Sequence, residues 1–474
     1  MEIRRGSAGI WMGLAMSAWI FGGAVARAED PPAAPEADAP ADPAARIETL
    51  EERLRILERK EELAREQAAE KAKSAASVAV GKDGFSIRSA DGAASLRIRG
   101  YVQADAQAAL HDEDLPAIDT FVLRRVRPIF EGGVGRFFEF KLMPDFGAGT
   151  TVLQDAFMDW KFGKSARLRA GKFKSPVGLE RLQSATDLLF VVREAPTNLV
   201  PNRDLGLLMH GEPWEGLLVW DAGILNGVPD GGSADGDVSD GKDGEARLFV
   251  LPWKRTAIGA LQGLGFGMAA TYGHNDGTPR ATGLSTYKTP GGLDSFAWRN
   301  DGTQATAPTA AGTTVADGRR VRVAPQASWF AGRFGSLLEL VKVDQELTLG
   351  GTTDDLENRA WGVTVSCLLT DDTTSYKGVT PKRPYDPGAH QWGAFEVVAR
   401  SGALRVDDDA FPIFADPARA ARVARDRGLG FNWYLNRNFR IMLDYIETRF
   451  DGGAAAGADR PDEQVLLNRL QVAW

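Results

Sequence analysis

Arg97, Arg99, Arg167 and Arg169 sit two apart on segments that alternate polar and apolar residues, so a strand would hold each pair on the face opposite its apolar side chains. Such groups can do one kind of chemistry without a cofactor. A guanidinium offers a planar fork of donors that fits phosphate oxygens, and an ammonium offers a mobile point charge. A row of them can replace part of an anion's hydration and let the ion step onward. Asp105, Glu139, Asp155 and Asp159 occupy the same kind of face, and pairing with them would turn the cations into plain wall charges.

Other reactive residue types point nowhere. His111, His210, His274 and His390 show no metal-ligand spacing, no Gly-x-Ser-x-Gly elbow exists, and Gly263, Gly265 and Gly267 flank a strand rather than open a helix. Cys367 lies in the alternating stretch Trp361–Cys367 and reads as a small strand residue. Asp230, Asp235, Asp237, Asp240 and Asp243 crowd one Gly-rich loop without EF-hand order, which reads as a solvated acidic loop. No catalytic residue, metal or cofactor is expected, and the formal charge of −8 argues against a nucleic-acid partner. It does not argue against an anion path, because net charge sums acidic loops with any locally basic channel.

The elements that would hold these residues begin with an address. Arg4 and Arg5 precede a short apolar run ending in Ala26-Arg27-Ala28, the pattern of an export signal over residues 1–28. Residues 29–45 are rich in Ala, Pro, Asp and Glu and read as a flexible leader. Over 46–73, Ile47, Leu50, Leu54, Leu57, Ala64 and Ala68 recur at spacings of three and four, the seam of a coiled-coil helix that needs partner helices. A trimeric periplasmic stalk fits that need, as does a grip on the cell wall.

From 85 to 474 the rhythm changes to period two. In Ser95–Asp105 the even positions are apolar or small and the odd ones polar, and Phe138, Phe140 and Leu142 alternate with Glu139 and Lys141. The same split sets Ala156, Met158, Trp160 and Phe162 against Asp155, Asp159 and Lys161, and Phe439, Ile441, Leu443 and Tyr445 against Arg440 and Asp444. Oil-facing and water-facing sides repeated over many strands predict an all-β fold, a transmembrane antiparallel barrel. At roughly two dozen residues per strand and connection it would have about 16 strands, too wide for side chains alone to fill. Connections at 227–244, 273–319 and 371–390 read as extracellular loops.

Four stretches resemble the phosphate-selective porin O and P family: Leu123-Arg124-Arg125-Val126-Arg127; Gly171–Glu180 running on to Arg203 and Gly206; Tyr376–Val379 with Pro381–Tyr385 and Trp392–Glu396; and Gly430–Asn436. The resemblance implies a trimeric 16-stranded barrel with loops folded into the lumen and a path lined by Arg and Lys. It places Arg124 and Arg125 near the constriction, and Lys172, Lys174, Arg193 and Arg203 in a stretch approaching the lumen. Because Arg124 and Arg125 are adjacent, both can face inward only at a bulge or bend.

The expected function is passive diffusion of small solutes, with anions such as phosphate preferred, in the outer membrane of a Gram-negative-type cell among its lipids. A general porin without preference is the alternative, as are a plugged barrel serving as a cell-wall tether and a barrel enzyme with a clustered Ser/His/Asp set.

Overall fold

The computed structural model describes residues 43–81, 84–110, 119–237 and 239–474. The export signal, the leader up to residue 42 and His111 lie outside the described residues. The chain divides into two units, one ending at Lys73 and the other starting at Ser74.

The first unit contains one long helix, Pro43–Ser74. It starts inside the segment read as leader, and the reason is local. Proline has its φ already set for a first helical turn, where its missing N–H has no partner to lose. Ile47, Leu50, Leu54 and Leu57 are all more than half exposed, while Arg59–Glu62 and Arg65–Glu61 pair at 2.7 and 2.6 Å one turn apart.

In the second unit a hairpin, Ser77–Gly81 with Gly84–Arg88, leans on the start of the first barrel strand. Sixteen strands then follow: β1 (Ala94–Leu110), β2 (Thr120–Val134), β3 (Phe138–Asp145), β4 (Val152–Lys161), β5 (Arg167–Lys174), β6 (Arg203–Gly211), β7 (Leu218–Leu225), β8 (Asp243–Val250), β9 (Gly265–Asp276), β10 (Val315–Ala331), β11 (Phe334–Leu349), β12 (Thr352–Leu368), β13 (Ala394–Arg405), β14 (Ala421–Tyr434), β15 (Phe439–Gly452) and β16 (Glu463–Ala473). Each pairs antiparallel with the next, and β16 pairs with β1 to close the ring. Trp474 finishes the seam, its N–H donating to Gly100 O at 2.9 Å and its O accepting from Gly100 N at 3.0 Å. A Cβ at position 100 would stand 2.8 Å from the Trp474 ring, so glycine is what lets the last residue lie flat there.

Alternation sorts the side chains as a closed membrane sheet requires. On β15, Leu443 and Tyr445 are exposed outside while Arg440, Met442, Asp444 and Ile446 are buried inside. Exposed apolar residues such as Met158, Leu207, Ile224, Leu248, Met268, Leu340 and Leu429 continue the outer band around the ring. An aromatic rim marks one edge of it: Phe138, Trp160 and Phe162 stack in series, as do Phe395, Phe431 and Trp433. Among the described residues no two sheets stack as layers.

An even strand count puts both barrel termini at one end. Most connections at that end are short, including 135–137, 162–166, 332–333 and 435–438, whereas 175–202, 226–242 and 277–314 lie at the other. Long loops mark the extracellular side of such barrels. One expectation is corrected here. The connection 369–393, read from its length as extracellular, emerges at the terminus-bearing end, because β11 and β12 are joined at the far end by only Gly350 and Gly351.

Candidate functional site

Among the described residues the lumen holds inward-folded segments and cavities between them. The loop 175–202 crosses it and is held by inward residues of seven strands. Gln103 of β1 donates to Ala185 O at 2.8 Å, Glu339 of β11 accepts from Leu179 N at 2.7 Å, and Arg400 of β13 donates to Val192 O at 2.8 Å. Asn432 of β14 donates to Leu189 O at 3.0 Å, Asp444 of β15 accepts from Val191 N at 2.6 Å, and Gln471 of β16 donates to Thr186 O at 3.1 Å. On β12 the Thr364 hydroxyl bonds Glu194, and a Cβ at Gly362 would collide with that carboxylate. Leu179, Leu189, Phe190 and Val191 pack on Phe249, Leu337, Val398, Met442 and Ile446. Apolar burial and directed hydrogen bonds thus glue the loop to one half of the wall.

Two more segments join it. Loop 277–314 docks from the far end, with Thr289 on Glu463 at 2.8 Å and Asn198 on Lys288 O at 3.1 Å. Segment 369–393 enters from the other end, where the Tyr376 hydroxyl donates to Leu179 O at 2.6 Å and Gln183 donates to Tyr376 O at 2.8 Å.

What stays open is a series of cavities with shared walls. A far-end cavity of about 1160 Å3 shares Lys288 and Gly292 with one of about 250 Å3. That small cavity shares Arg124, Arg125, Arg181 and Arg193 with one of about 1010 Å3. The large cavity shares Glu131, Lys141, Phe157 and Arg169 with a terminus-end cavity of about 840 Å3, where Arg97 lies. Solute crossing the barrel by this route passes the four shared arginines.

Twelve basic and five acidic side chains line the large cavity, although the whole chain is acidic. Part of that charge is paired along the strands. Arg97 and Arg99 bind Glu131 at 2.5 and 2.6 Å, Arg127 binds Asp145 at 2.7 Å, and Arg167 binds Glu139 at 3.0 Å. Arg169 binds Asp159 at 2.8 Å, with His210 3.6 Å from the same carboxylate, and both Lys141 and Arg203 reach Asp155 at 2.8 Å.

The junction is different. Arg125 donates to the Gln103 side-chain oxygen at 2.7 Å, Arg193 to Glu180 O and Gln183 O at 3.2 and 3.1 Å, and Arg181 to Thr197 O. Lys174, nearby on the large cavity, donates to Leu182 O and Gln183 O at 3.2 and 2.8 Å. These acceptors are neutral, so the positive charge stays uncompensated by direct contact. Burial, then the Arg193 and Arg203 charges, push Arg181 down to about 9, still protonated at neutral pH.

The structure brings most of the expected residues together. Arg124 and Arg125 both line the junction because β2 bulges there: Gln103 pairs with Arg125, but the next residue, Ala104, pairs with Leu123. Arg99, Arg169, Lys174, Arg193 and Arg203 line the large cavity, and Arg97 the terminus-end one. Lys172 lines none of these cavities. It takes the strand phase opposite to Arg169 and pairs with Asp235 of connection 226–242. Arg127, Lys141, Arg181, Lys377 and Arg437 also line the large cavity and were not singled out from sequence. Strand phase carries a signal for Arg127, two residues from Arg125 and Ile129 on one face, and for Lys141, which alternates with Phe140 and Leu142; nothing local marks Arg181 or Lys377, whose places depend on loops folding inward. Among the described residues no group of three His, Cys, Asp or Glu could hold a metal.

Comparison with known proteins agrees with this geometry. The family model for phosphate-selective porin O and P matches residues 96–474. A loop L8 deletion mutant of OmpT, an outer membrane protein of Vibrio cholerae, superposes with a TM-score of 0.50 at 10% identity, over 81% of this chain and 100% of that one. The outer membrane channel DcaP of Acinetobacter baumannii gives 0.51 at 11% identity, over 80% and 97%. At such identities the likeness speaks for the fold alone. A search of curated proteins finds no match.

Proposed function

The chain belongs to the phosphate-selective porin O and P family and is an outer-membrane porin channel, and from that premise we propose that it prefers anions, with phosphate the solute its walls fit best. The observation that carries this reading is the junction of the two cavities, where Arg124, Arg125, Arg181 and Arg193 meet. A partly dehydrated anion arriving there finds Arg124 with no acceptor among the described residues and three arginines whose present acceptors are neutral, so it can bind without breaking an ion pair. The forked geometry of arginine favours an oxyanion over chloride. Arg97, Arg99, Arg127, Arg167, Arg169 and Arg203 hold carboxylates and act as a weaker field leading to and from the junction. Lys172 is left as a structural ion pair.

Export by a cleaved signal and assembly as a homotrimer complete the reading. The exposed Ile47–Leu57 stripe of the helix supports association through that segment. A general porin with weak preference is the second reading, favoured by the carboxylates of Glu131, Asp145 and Asp155 on the same wall.

Zero-current potential in a potassium chloride gradient, followed by titration with phosphate, separates the two. Selectivity for chloride over potassium, and chloride current falling as phosphate is added, are the expected results. A cation-selective potential, or chloride current indifferent to phosphate, would remove the preference and leave a general porin; absence of any conductance would favour the tether.

A further inference from the structure

Outside the pore, one stretch of the barrel's outer wall carries charge that its own surroundings leave unmatched. On β14 the outward positions read Arg425, Arg427, Leu429, Phe431 and Trp433 from the far end toward the terminus-bearing end. Leu429 is 66% exposed and its outer-face neighbours Val365, Val397, Leu443 and Tyr445 are exposed as well, so this is the oil-facing belt. The two arginines stand toward its far edge.

Cross-strand register concentrates the charge. Arg425 lies opposite Arg449 of β15 and Arg359 of β12 opposite Arg405 of β13, while Glu447, opposite Arg427, turns to Arg449 instead. Like charges placed directly opposite destabilise a sheet unless something compensates them. The carboxylates close by are committed elsewhere: Glu447 and Asp462 to Arg449 at 3.0 and 3.5 Å, Asp408 to Arg405 at 2.7 Å, Asp451 to Arg422 at 3.1 Å, and Glu357 to Arg359 and Lys342. Arg425 and Arg427, both exposed, form no hydrogen bond or ion pair among the described residues.

Height fixes the partner. At ~3.3 Å per residue, Arg427 and Arg425 lie ~20 and ~26 Å along the strand from Trp433 in the aromatic rim. With a strand tilt of about 40° that is ~15 and ~20 Å up a belt ~25 Å tall, so both residues start inside the upper belt and their long side chains extend along the wall to its far edge. The far end is the extracellular one, so the guanidinium groups meet the headgroup layer of the outer leaflet. A subunit seam is the poorer occupant, since burying two unpartnered cations against protein leaves their lost hydration unreplaced.

We propose that Arg425 and Arg427, with Arg449 beside them, form an external site for the phosphate groups of an outer-leaflet lipid, whose chains lie on Leu429 and Phe431. The site is independent of the pore and rests only on the outer-membrane placement.

The test uses the full-length protein in detergent with two probes, lipid A carrying its phosphates and the same lipid A dephosphorylated, scored by native mass spectrometry. The phosphorylated form is expected to bind at least about tenfold more tightly; R425Q/R427Q should lose that margin, while R425K/R427K, which keeps the charge, should hold it to within about threefold. Heat-modified gel mobility checks that each variant is a folded barrel, and R425K/R427K tells charge from packing. Equal binding of the two lipids, undiminished binding by R425Q/R427Q, or displacement of the lipid by millimolar inorganic phosphate would overturn the proposal.

Discussion

Both halves of the barrel wall pair inward arginines with carboxylates, but only at one does the loop 175–202 bring in arginines that rest on neutral oxygens. On the half built from β8 to β16, Arg322 reaches Asp230 and Asp243 at 2.8 and 2.9 Å, Arg320 reaches Asp243 at 3.0 Å, Arg400 reaches Asp426 at 3.1 Å, and Arg469 grips Asp105 of β1 with two bonds of 2.7 Å. These guanidinium groups are sealed under the inward loops, Arg322 at 0% exposure. On the half built from β1 to β6 the strands face cavities, and where the loop 175–202 meets that half the arginines rest on neutral oxygens. An arginine is a staple when a carboxylate and a lid enclose it, and a solute contact when water and a carbonyl do. Residue type alone does not decide between them.

The staple side should break hardest. Arg322→Gln removes one member of a buried network that includes Asp230, Asp243 and the Thr271 hydroxyl at 3.3 Å, leaving Asp230 without a counter-charge and Asp243 with Arg320 alone. Loss of one partner of such a buried pair costs ~3 to ~5 kcal/mol. The folded, heat-modifiable gel species should therefore melt at markedly lower temperature, while ion selectivity of the surviving channels stays as in the parent. A large selectivity change with unaltered melting would erase the distinction between the two halves.

A smaller effect sharpens the pore side. Asp187 lines the large cavity on the inward loop, and burial holds its carboxyl up at about 6 against the pull of Arg440, Lys174 and Arg99. A raised carboxyl is charged above that value and neutral below it. Lowering the bath from about pH 7.5 to about pH 5 should remove one negative charge from the path and raise anion preference severalfold. Asp187→Asn should show the low-pH preference at both values. A parent channel whose zero-current potential ignores this pH range contradicts the assignment.

The contrast also explains what could be read in advance. The two-residue rhythm of Ser95–Asp105 or Phe439–Tyr445 exposes the barrel, because membrane and water select opposite residues on the two faces of every strand. The bulge at Arg124 and Arg125 follows from adjacency plus the demand that both face inward. Lys172 and Lys174 share a strand phase, yet only Lys174 lines a cavity; what sets Lys172 apart is its pairing with Asp235, far away in sequence. The side of connection 369–393 depends on strand parity, and the Gly350-Gly351 hairpin that sets it is two residues long. Least legible were Arg181 and the partners of Arg322 and Arg400. These depend on contacts between residues far apart in sequence, made when the loops fold back into the ring.

The central claim is that arginines held by neutral oxygens set the preference of this pore. Zero-current potentials in one potassium chloride gradient, for the parent and for the variant R124Q/R125Q/R181Q/R193Q, test it most directly. A unit charge roughly 8 Å from an ion is worth ~2 kcal/mol at an effective dielectric of ~20, so losing four should lower the chloride-to-potassium permeability ratio by at least about tenfold. A folded variant whose ratio matches the parent's would contradict the account.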